Sequence, residues 1–354
     1  MPLPLVFVRE GRGWLGEGPV RRIDVAGPGH YAAARERWAR LVAHAPDGEL
    51  VAFGAFPFDP RSSAGGSLLV PARAVPVAGG LPRLGDAMLP KARVRPGDMS
   101  AAAYRAAVAV ATAEISAGGL RKVVLARDVV IEPEEPVDAG SLLDALYAAH
   151  PGASVFGVDG LFGASPETLI TVHGGLVTAR VLAGTAAPGA GHSLLDSAKD
   201  VAEHAFAVDS VLDALRPHLG ELESDPRPYV LELPHLSHLA TDVAGRIADG
   251  SDVLALVEAL HPTAAVAGTP TAAAMTRIRE LERVDRGRYA GPVGWMNAHG
   301  DGEWAIALRS AQLGADGRFR AFAGAGIMAE SDPDAELAET ELKLRPILDA
   351  LRAP

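Results

Sequence analysis

Two stretches of this 354-residue sequence each place two acidic residues three positions apart. Asp200 and Glu203 form one pair; Glu336 and Glu339 form the other, within "SDPDAELAETELKLRPIL" (331–348). Residues three apart share a helix face, and either pair alone is typical of a solvated acidic surface. If the two faces oppose each other, however, the four carboxylates repel unless a divalent cation lies between them. An all-oxygen ligand set completed by water suits Mg²⁺.

The stretch 331–348 is predicted to be a helix with two distinct stripes. At 100° per residue, Lys343 falls within an arc of about 60° that also holds the two glutamates. Asp332 and Pro333 indicate the helix start, as a capping side chain followed by proline at the first helical position. Pro346 is expected to kink or loosen the helix. The second stripe is apolar and consists of Leu337, Leu344 and Leu348.

A lysine and a glutamate elsewhere in the sequence are candidates for acid–base chemistry. Lys122 opens the apolar strand "KVVLARD", and Glu167 follows a Ser-Pro turn in "GASPETL". A lysine at a strand start usually extends into water, and a turn carboxylate is usually exposed. In a pocket, the lysine could instead serve as a base and the glutamate could hold a proton as an acid.

Arg309 belongs to a stretch, "EWAIALRSA", that alternates as a strand does. Such a strand would set Arg309 on a face of alanines, with room above the sheet for a carboxylate that the guanidinium could bind. The alternative is an arginine on a solvated sheet face. The predicted alanine face is Ala305, Ala307 and Ala311, and the opposite face is Trp304, Ile306 and Leu308.

Composition excludes several classes of function. The net charge is −11 with no Lys/Arg-rich run, which argues against nucleic-acid binding but not against a small anionic substrate. There is no cysteine, so thiol catalysis and cysteine-based metal sites are excluded. The first residues lack the pattern of a signal peptide, and no apolar run is long enough for a membrane span. We therefore expect a cytoplasmic protein, as a monomer.

The order of elements favours an α+β fold with a largely antiparallel sheet. Residues 1–95 form a strand-rich N-terminal part with one helix at 30–45, and residues 96–354 form the remainder, after a proline-rich boundary at 89–100. Three strands are predicted within 154–185 and one long helix over 193–219. After this helix the sequence predicts a strand, two helices, a meander of hairpins and finally the helix of 331–348.

Eight motifs spread over residues 100–348 together resemble the chorismate-utilising enzymes. In order they are "LRKVVLARD", "FGASPETL", "VLAGT", "SAKDVAEHAFAVD", "HLATDVAGRI", "LHPTAAVAGTP", "YAGPVGW…GDGEWAIALRSA" and "FAGAGIMAESDPDAELAETELK". The resemblance implies the anthranilate synthase component I-like fold, in which large antiparallel sheets are wrapped by helices. It also implies the dianion chorismate as the substrate.

The resemblance assigns roles to particular residues. Glu203 and Glu339 are implied to bind Mg²⁺, with Asp200 and Glu336 acting through metal-bound water. The implied substrate contacts are Arg309 and Tyr289 on the enolpyruvyl carboxylate, with help from Gly326 and Lys343, and Gly184, Thr185 and His238 around the ring.

Within the family the sequence is most similar to isochorismate synthases. Water-adding members carry a lysine at the position of Lys122, whereas Ala183 stands where the aminodeoxychorismate branch has lysine. "FGAFPFD" (53–59) resembles the isochorismate synthase signature, and no amidotransferase domain is fused. The implied reaction is water attack at C2 assisted by Lys122, with Glu167 protonating the departing C4 hydroxyl. Ala264 and Val181 depart from the prolines usual at those positions.

Three alternatives to isochorismate synthase remain at the level of sequence. A salicylate synthase would also eliminate pyruvate from isochorismate in the same pocket. An anthranilate or aminodeoxychorismate synthase would use ammonia. A non-catalytic chorismate-binding protein would bind the ligand without turnover. The sequence does not show whether isochorismate is used for menaquinone, a siderophore or salicylate.

Overall fold

The computed structural model describes residues 3–45, 49–186, 189–232 and 237–352, without the side chains of Thr185, Lys199 and Glu203. Within these ranges the helices are α1 (His30–Ala43), α2 (Ala101–Ser116), α3 (Ala139–Ala149), α4 (His192–Asp196), α5 (Ala198–Leu215), α6 (Val253–Leu260), α7 (Thr271–Glu282) and α8 (Pro333–Ala350). No helix in the described ranges combines the length and the apolar character needed to cross a membrane.

The strands of the same ranges join through antiparallel pairings into one 18-stranded sheet. They are β1 (Leu5–Arg9), β2 (Arg12–Val25), β3 (Val51–Ala55), β4 (Gly66–Ala78), β5 (Ala92–Pro96), β6 (Lys122–Pro133), β7 (Ser154–Val158), β8 (Leu161–Ser165), β9 (Thr168–His173), β10 (Leu176–Ala186), β11 (Leu219–Ser224), β12 (Tyr229–Glu232), β13 (Ser237–Ile247), β14 (Gly268–Thr269), β15 (Pro292–Asn297), β16 (Gly302–Ile306), β17 (Ser310–Leu313) and β18 (Phe319–Ile327). The predicted α+β class with an antiparallel sheet wrapped by helices is confirmed.

Strands far apart in the sequence are neighbours in this sheet. β1 pairs with β7, and β3 pairs with β15, so strands of the first 95 residues lie between strands of the rest. β6 pairs with β5, β14 and β18. Because Lys122 is the first residue of β6, these pairings bring it beside segments that end near residues 269 and 327.

The stretch predicted as one helix over 193–219 is divided. Ser197 lies between α4 and α5 in an extended conformation, and its hydroxyl accepts a hydrogen bond from the backbone N–H of Asp200, as an N-cap does. The cap fixes the start of α5 and therefore the position of Asp200 in its first turn. The end of the predicted helix is also wrong, because Leu219 begins strand β11.

Residues 154–186 form four strands rather than the three that were predicted. The extra strand arises from a two-residue turn at Asp159 and Gly160, which both have positive φ angles, 52° and 76°. That conformation fits the twist of a tight hairpin, and it joins β7 to β8. β8 and β9 are then separated only by Pro166 and Glu167, so Glu167 lies between a strand that pairs with β7 and β17 and a strand that pairs with β10 and β16.

Helix α8 has the two stripes that the sequence predicted. Leu337, Leu344 and Leu348 are buried. The helix continues past Pro346 to Ala350. Pro346 has no N–H for the carbonyl of Leu342, but Leu342 lies on the exposed side, where water can bond that carbonyl.

Candidate active site

A cavity of about 380 Å³ is enclosed by β6, β10, β18, α5, α8 and the loops around residues 265, 289 and 309. Most of the residues predicted to carry chemistry line this cavity: Lys122, Glu167, Gly184, Asp200, His238, Tyr289, Arg309, Gly326, Glu336, Glu339 and Lys343. Of the other two, Thr185 lies in β10 beside Gly184, and Glu203 lies in α5 one turn after Asp200. Their side chains are outside the described part.

Glu167 is fixed by its backbone at the junction of β8 and β9. Its N–H donates to the hydroxyl of Ser165 at 3.2 Å, and its carbonyl accepts from the N–H of Ile306 at 3.0 Å. Ser165 in turn donates to the carbonyl of Ile306 at 2.6 Å. These bonds fix Glu167 on the cavity wall. Its carboxyl therefore lines the cavity, whereas a carboxylate in a turn is usually exposed to solvent.

The acidity of Glu167 is shifted toward neutrality. Removal of its carboxyl from water raises the pKa to about 7, although the nearby charges of Lys122, Lys343 and Arg309 act in the opposite direction. The carboxyl group is therefore partly protonated near neutral pH. A group in that state can donate a proton in one direction of a reaction and accept one in the other.

Lys122 lines the cavity and lies against the backbone of β18. Gly326 stands beside it, and a Cβ atom added to Gly326 would approach Lys122 Cε to 2.8 Å. Real Cβ contacts are essentially never that short, so a larger residue at 326 would displace the end of the lysine side chain from its present position. The sequence motif "AGAGI" thus provides space for the lysine as well as backbone near the cavity.

Three side chains of α8 converge on the cavity through distinct interactions. Lys343 Nζ donates to the carbonyl of Gly324 at 2.9 Å and pairs with Glu339 at 2.5 Å. Glu336 accepts from the hydroxyl of Ser331 at 2.6 Å. Burial raises the pKa of Glu336, and the negative charge of Glu339 adds to the effect. A cation between the two glutamates would reverse that repulsion.

Helix α5 is held to the sheet by a buried histidine. His204 lies within hydrogen-bond distance of the carbonyl of Ala183 at 3.2 Å and of the hydroxyl of Thr241 at 2.7 Å. Burial lowers the pKa of His204, which keeps the ring neutral and suited to one donated and one accepted bond. The adjacent residue on the helix is Glu203, so this anchor fixes the backbone from which the predicted metal ligand projects.

Gly184 forms an irregular point in β10 next to α5. Its φ angle is 77°, and the register of β10 against β13 shifts between Ala183 and Thr185. The ring of His238 lies 3.2 Å from the carbonyl of Gly184, and burial lowers the pKa of His238. A neutral imidazole and a left-handed glycine therefore form this part of the cavity wall.

The carboxylates of Asp200, Glu336 and Glu339 all line the cavity. Oxygen donors of this kind suit a hard cation such as Mg²⁺. Among the described residues no cluster of three or more histidine and acidic side chains lies close enough to hold a metal. The side chain of Glu203, the fourth predicted carboxylate, is not among those described.

Arg309 reaches the cavity in a different way from the one predicted. The strand ends at Ile306, and Arg309 lies at a bend with a positive φ angle of 49°. The alanine face above the sheet is not open, because Ala305 and Ala307 are buried in an apolar cluster with aromatic residues of β1, β3 and β7. The predicted single strand through Arg309 is therefore wrong, although Arg309 does line the cavity.

Tyr289 and residues around it form the wall next to Arg309. Tyr289 stacks on Phe322 with ring centroids 5.4 Å apart. Burial lowers the pKa of Arg309 and raises that of Tyr289. Both groups are thus desolvated, so an anionic ligand would gain strongly from reaching them.

Sequence reasoning missed Arg286 in the same wall. Its guanidinium pairs with Glu282, is fully enclosed, and donates to the carbonyl of Val124 at 2.7 Å. Glu282 also accepts from the N–H of Ala126 at 2.7 Å. This buried pair connects α7 to β6, close to Lys122. The i,i+4 spacing of Glu282 and Arg286 was a weak signal, because most such pairs lie on helix surfaces.

The cavity of this α+β fold thus contains a buried glutamate beside arginine, lysine and tyrosine side chains that can donate hydrogen bonds to an anion. Residues 87–352 match the family model described as chorismate binding enzyme. The chain belongs to this family of chorismate-binding enzymes.

Three similar proteins illustrate the relationship. A Mycobacterium tuberculosis protein with the provisional name isochorismate synthase MenF is 41% identical over 325 residues, covering 85% of this chain and 86% of its own length. A Pseudomonas aeruginosa salicylate biosynthesis isochorismate synthase is 39% identical over 272 residues, covering 73% of this chain but only 57% of its own length. A crystal structure of a Bacillus anthracis protein, provisionally titled the 2,3-dihydroxybenzoate-specific isochorismate synthase DhbC, has a TM-score of 0.86 and 31% identity, and the match covers 99% of this chain and 96% of that one.

Proposed function

We propose that this enzyme is an isochorismate synthase, an isomerase that converts chorismate to isochorismate with Mg²⁺. The observation that carries the proposal is that Glu167, with a pKa of about 7, lines the same cavity as Lys122. A reaction that adds water at one ring carbon and removes a hydroxyl from another needs one base and one acid. The names of the similar proteins support the same activity.

The proposed mechanism assigns one proton transfer to each residue. Lys122 accepts a proton from the water that attacks C2, and Glu167 donates its proton to the hydroxyl that leaves C4. The C2–O bond forms and the C4–O bond breaks, while each of the two ring double bonds shifts by one bond. The products of one turnover are isochorismate and one water, so atoms and charge balance.

The remaining cavity residues would hold the substrate in place. Arg309 and Tyr289, both desolvated, are suited to the enolpyruvyl carboxylate, with Lys343 and the backbone near Gly326 beside them. Three further residues would line the ring pocket: Gly184, Thr185 and His238. We propose that no amidotransferase partner is required, because Lys122 stands where the water-adding members of the family carry a lysine.

Mg²⁺ would neutralise the ring carboxylate and reduce repulsion among the acidic residues around it. Glu203 and Glu339 are the proposed ligands, and Asp200 and Glu336 would act through metal-bound water. The oxygen-only donors of α8 and the raised pKa of Glu336 agree with a site built for a cation. Glu339→Gln should shift the Mg²⁺ titration of activity to higher concentration. An unchanged titration would contradict the ligand role of Glu339.

Product analysis tests the activity directly. The protein is incubated with chorismate and Mg²⁺, and the products are separated by chromatography while pyruvate is measured in parallel. We expect isochorismate and no pyruvate, with Lys122→Ala as the inactive control. Pyruvate released at the rate of chorismate loss, with salicylate fluorescence, would identify a salicylate synthase instead.

Two further outcomes would replace the proposal. Ammonia-dependent formation of anthranilate or aminodeoxychorismate would place the enzyme in the ammonia-using branches. Tight chorismate binding without any product would indicate a non-catalytic binding protein. An equilibrium between chorismate and isochorismate that is reached from either side supports the isomerase.

A further inference from the structure

A second, smaller cavity of about 240 Å³ adjoins the candidate active site. Its wall shares Glu167, Leu182 and Ala265 with the wall of the larger cavity. We call it the side pocket. Glu167 therefore lies between the larger cavity, which is suited to the substrate, and the side pocket. Lys122 does not line the side pocket.

The side pocket is lined mainly by apolar side chains, with Glu167, Arg180 and a few hydroxyl groups among them. Alanines account for much of the wall, and the hydroxyls are those of Thr168, Ser210, Thr263 and Thr271. Thr263 Oγ1 is buried and has no hydrogen-bond partner among the described residues. A buried hydroxyl in that condition is usually satisfied by an ordered water, which occupies about 30 Å³. The pocket is large enough for several.

Both positions at which the sequence departs from the usual family pattern lie in this pocket. Val181 and Ala264 stand where proline is usual, and both line the side pocket. Val181 lies in β10, and Ala264 lies in the loop between α6 and β14, directly after Thr263. The departures thus affect the space behind Glu167 and not the wall that holds Arg309 and Tyr289.

We propose that the side pocket holds the water released from C4 and supplies it again in the reverse reaction, with Thr263 as a positioning residue. This inference rests on the proposed isochorismate synthase activity. When Glu167 gives its proton to the leaving hydroxyl, the new water forms next to the carboxylate of Glu167. The substrate fills the larger cavity at that moment, so the new water can be accommodated in the side pocket next to Glu167.

The reverse direction uses the same geometry. Water from the side pocket attacks C4 and gives its proton to the Glu167 carboxylate, while Lys122 returns a proton to the hydroxyl leaving C2. No other reactant is needed. The side pocket therefore serves the C4 side of the ring only, and the water that attacks C2 reaches Lys122 from the larger cavity.

Two variants test the role of the pocket. Thr263→Val keeps the shape and removes the hydroxyl, and Ala264→Leu fills the space. We expect each to lower kcat in both directions by about 10-fold, while KM for chorismate changes less than about 2-fold. In Thr263→Val the water loses a hydrogen-bonding partner, and in Ala264→Leu it loses its space. Thr276→Val, on the exposed side of α7, is the matched control and should retain wild-type kcat.

The outcomes separate this inference from the proposed function. Wild-type protein that makes no isochorismate overturns both. Active wild-type protein with unchanged kcat in both variants overturns only the water pocket. A rise in KM as large as the fall in kcat would also overturn it, because the pocket would then be occupied by substrate. Thermal unfolding within a few degrees of wild type excludes misfolding, and a crystal structure should show water bonded to Thr263 Oγ1.

Discussion

The carboxyl of Glu167 differs from an ordinary surface glutamate only through its surroundings. The bonds of its backbone to Ser165 and Ile306 place it at a strand junction, and burial raises its pKa to about 7. Lys122 is placed by a strand start and by the glycine at 326. The residue types were visible in the sequence, but the raised pKa was not, because it depends on enclosure by distant segments.

Loss of either member of this pair should remove most of the activity. We expect Lys122→Ala and Glu167→Gln each to lower turnover by roughly 10²-fold or more, the usual contribution of a positioned acid or base. Mg²⁺ binding should remain intact in both, because neither is a proposed ligand. Steady-state assays and isothermal titration with Mg²⁺ check these expectations. Near-normal rates in both variants would refute the acid–base assignment.

The raised pKa of Glu167 also predicts a pH dependence of the rate. In either direction the reacting pair holds one proton, on Glu167 before chorismate reacts and on Lys122 before isochorismate reacts. Protonation of Glu167 as pH decreases through its pKa of about 7 adds a second proton to the pair, so the rate should fall in both directions. The interconversion takes up no net proton, so kcat/KM for the two substrates should follow the same profile. Initial rates at low substrate in both directions from pH 6 to 9 test this, and rates that do not change through pH 7 would contradict it.

Stability should depend on pH through the same group. The folded-state pKa, about 7, lies above the ordinary value of 4.5, so the folded protein holds a proton that the unfolded chain releases between these values. The native state therefore loses stability as pH rises from 4.5 through 7. Glu167→Gln lacks this loss, so its Tm advantage over wild type should grow by a few degrees between pH 4.5 and 8. A constant Tm difference would contradict the raised pKa.

At the scale of elements, periodicity and capping signals predicted most of the helices. Asp332 with Pro333 marked the start of α8, and its apolar stripe is buried as expected. The errors arose where short-range signals compete. Ser197 is a polar residue within a continuous amphipathic pattern, yet it caps a new helix. Alternation around Arg309 continued through a bend, because sequence alone does not show where pairing with a neighbouring strand ends.

Helix α8 carries site residues on one stripe and packing residues on the other, so the two functions can be separated. Leu344 is buried in an apolar cluster with residues of β6, β8 and α3. Leu344→Ala should lower the free energy of unfolding by about 2–5 kcal/mol, the usual range for such truncations. Leu342→Ala, on the exposed side of the same helix, should change it by less than about 0.5 kcal/mol. Denaturant titrations of the two variants check the difference, and equal destabilisation would contradict the assignment of the stripes.

At the scale of the whole molecule, the candidate site is assembled from segments that no local pattern connects. Lys122, Glu167 and Lys343 lie on β6, the β8–β9 junction and α8, and long-range pairings such as β6 with β18 bring them together. The eight family motifs indicated that these residues belong together. The side pocket had no such indication, because its volume results from the packing of α5 and α6 against β9 and β10.

The strands of residues 1–95 are interleaved with the later strands, which predicts one cooperative unit. Removing them would expose the edges of β7 and β15 and much of the aromatic cluster that contains Phe53. A chain that starts at residue 96 should therefore fail to fold and should lose all turnover, since unpaired edges and exposed apolar surface favour aggregation. Calorimetry of the full chain should show one transition, and limited proteolysis should yield no stable fragment covering 96–354. A soluble fragment of that length with bound chorismate would show instead that the later strands form an independent unit.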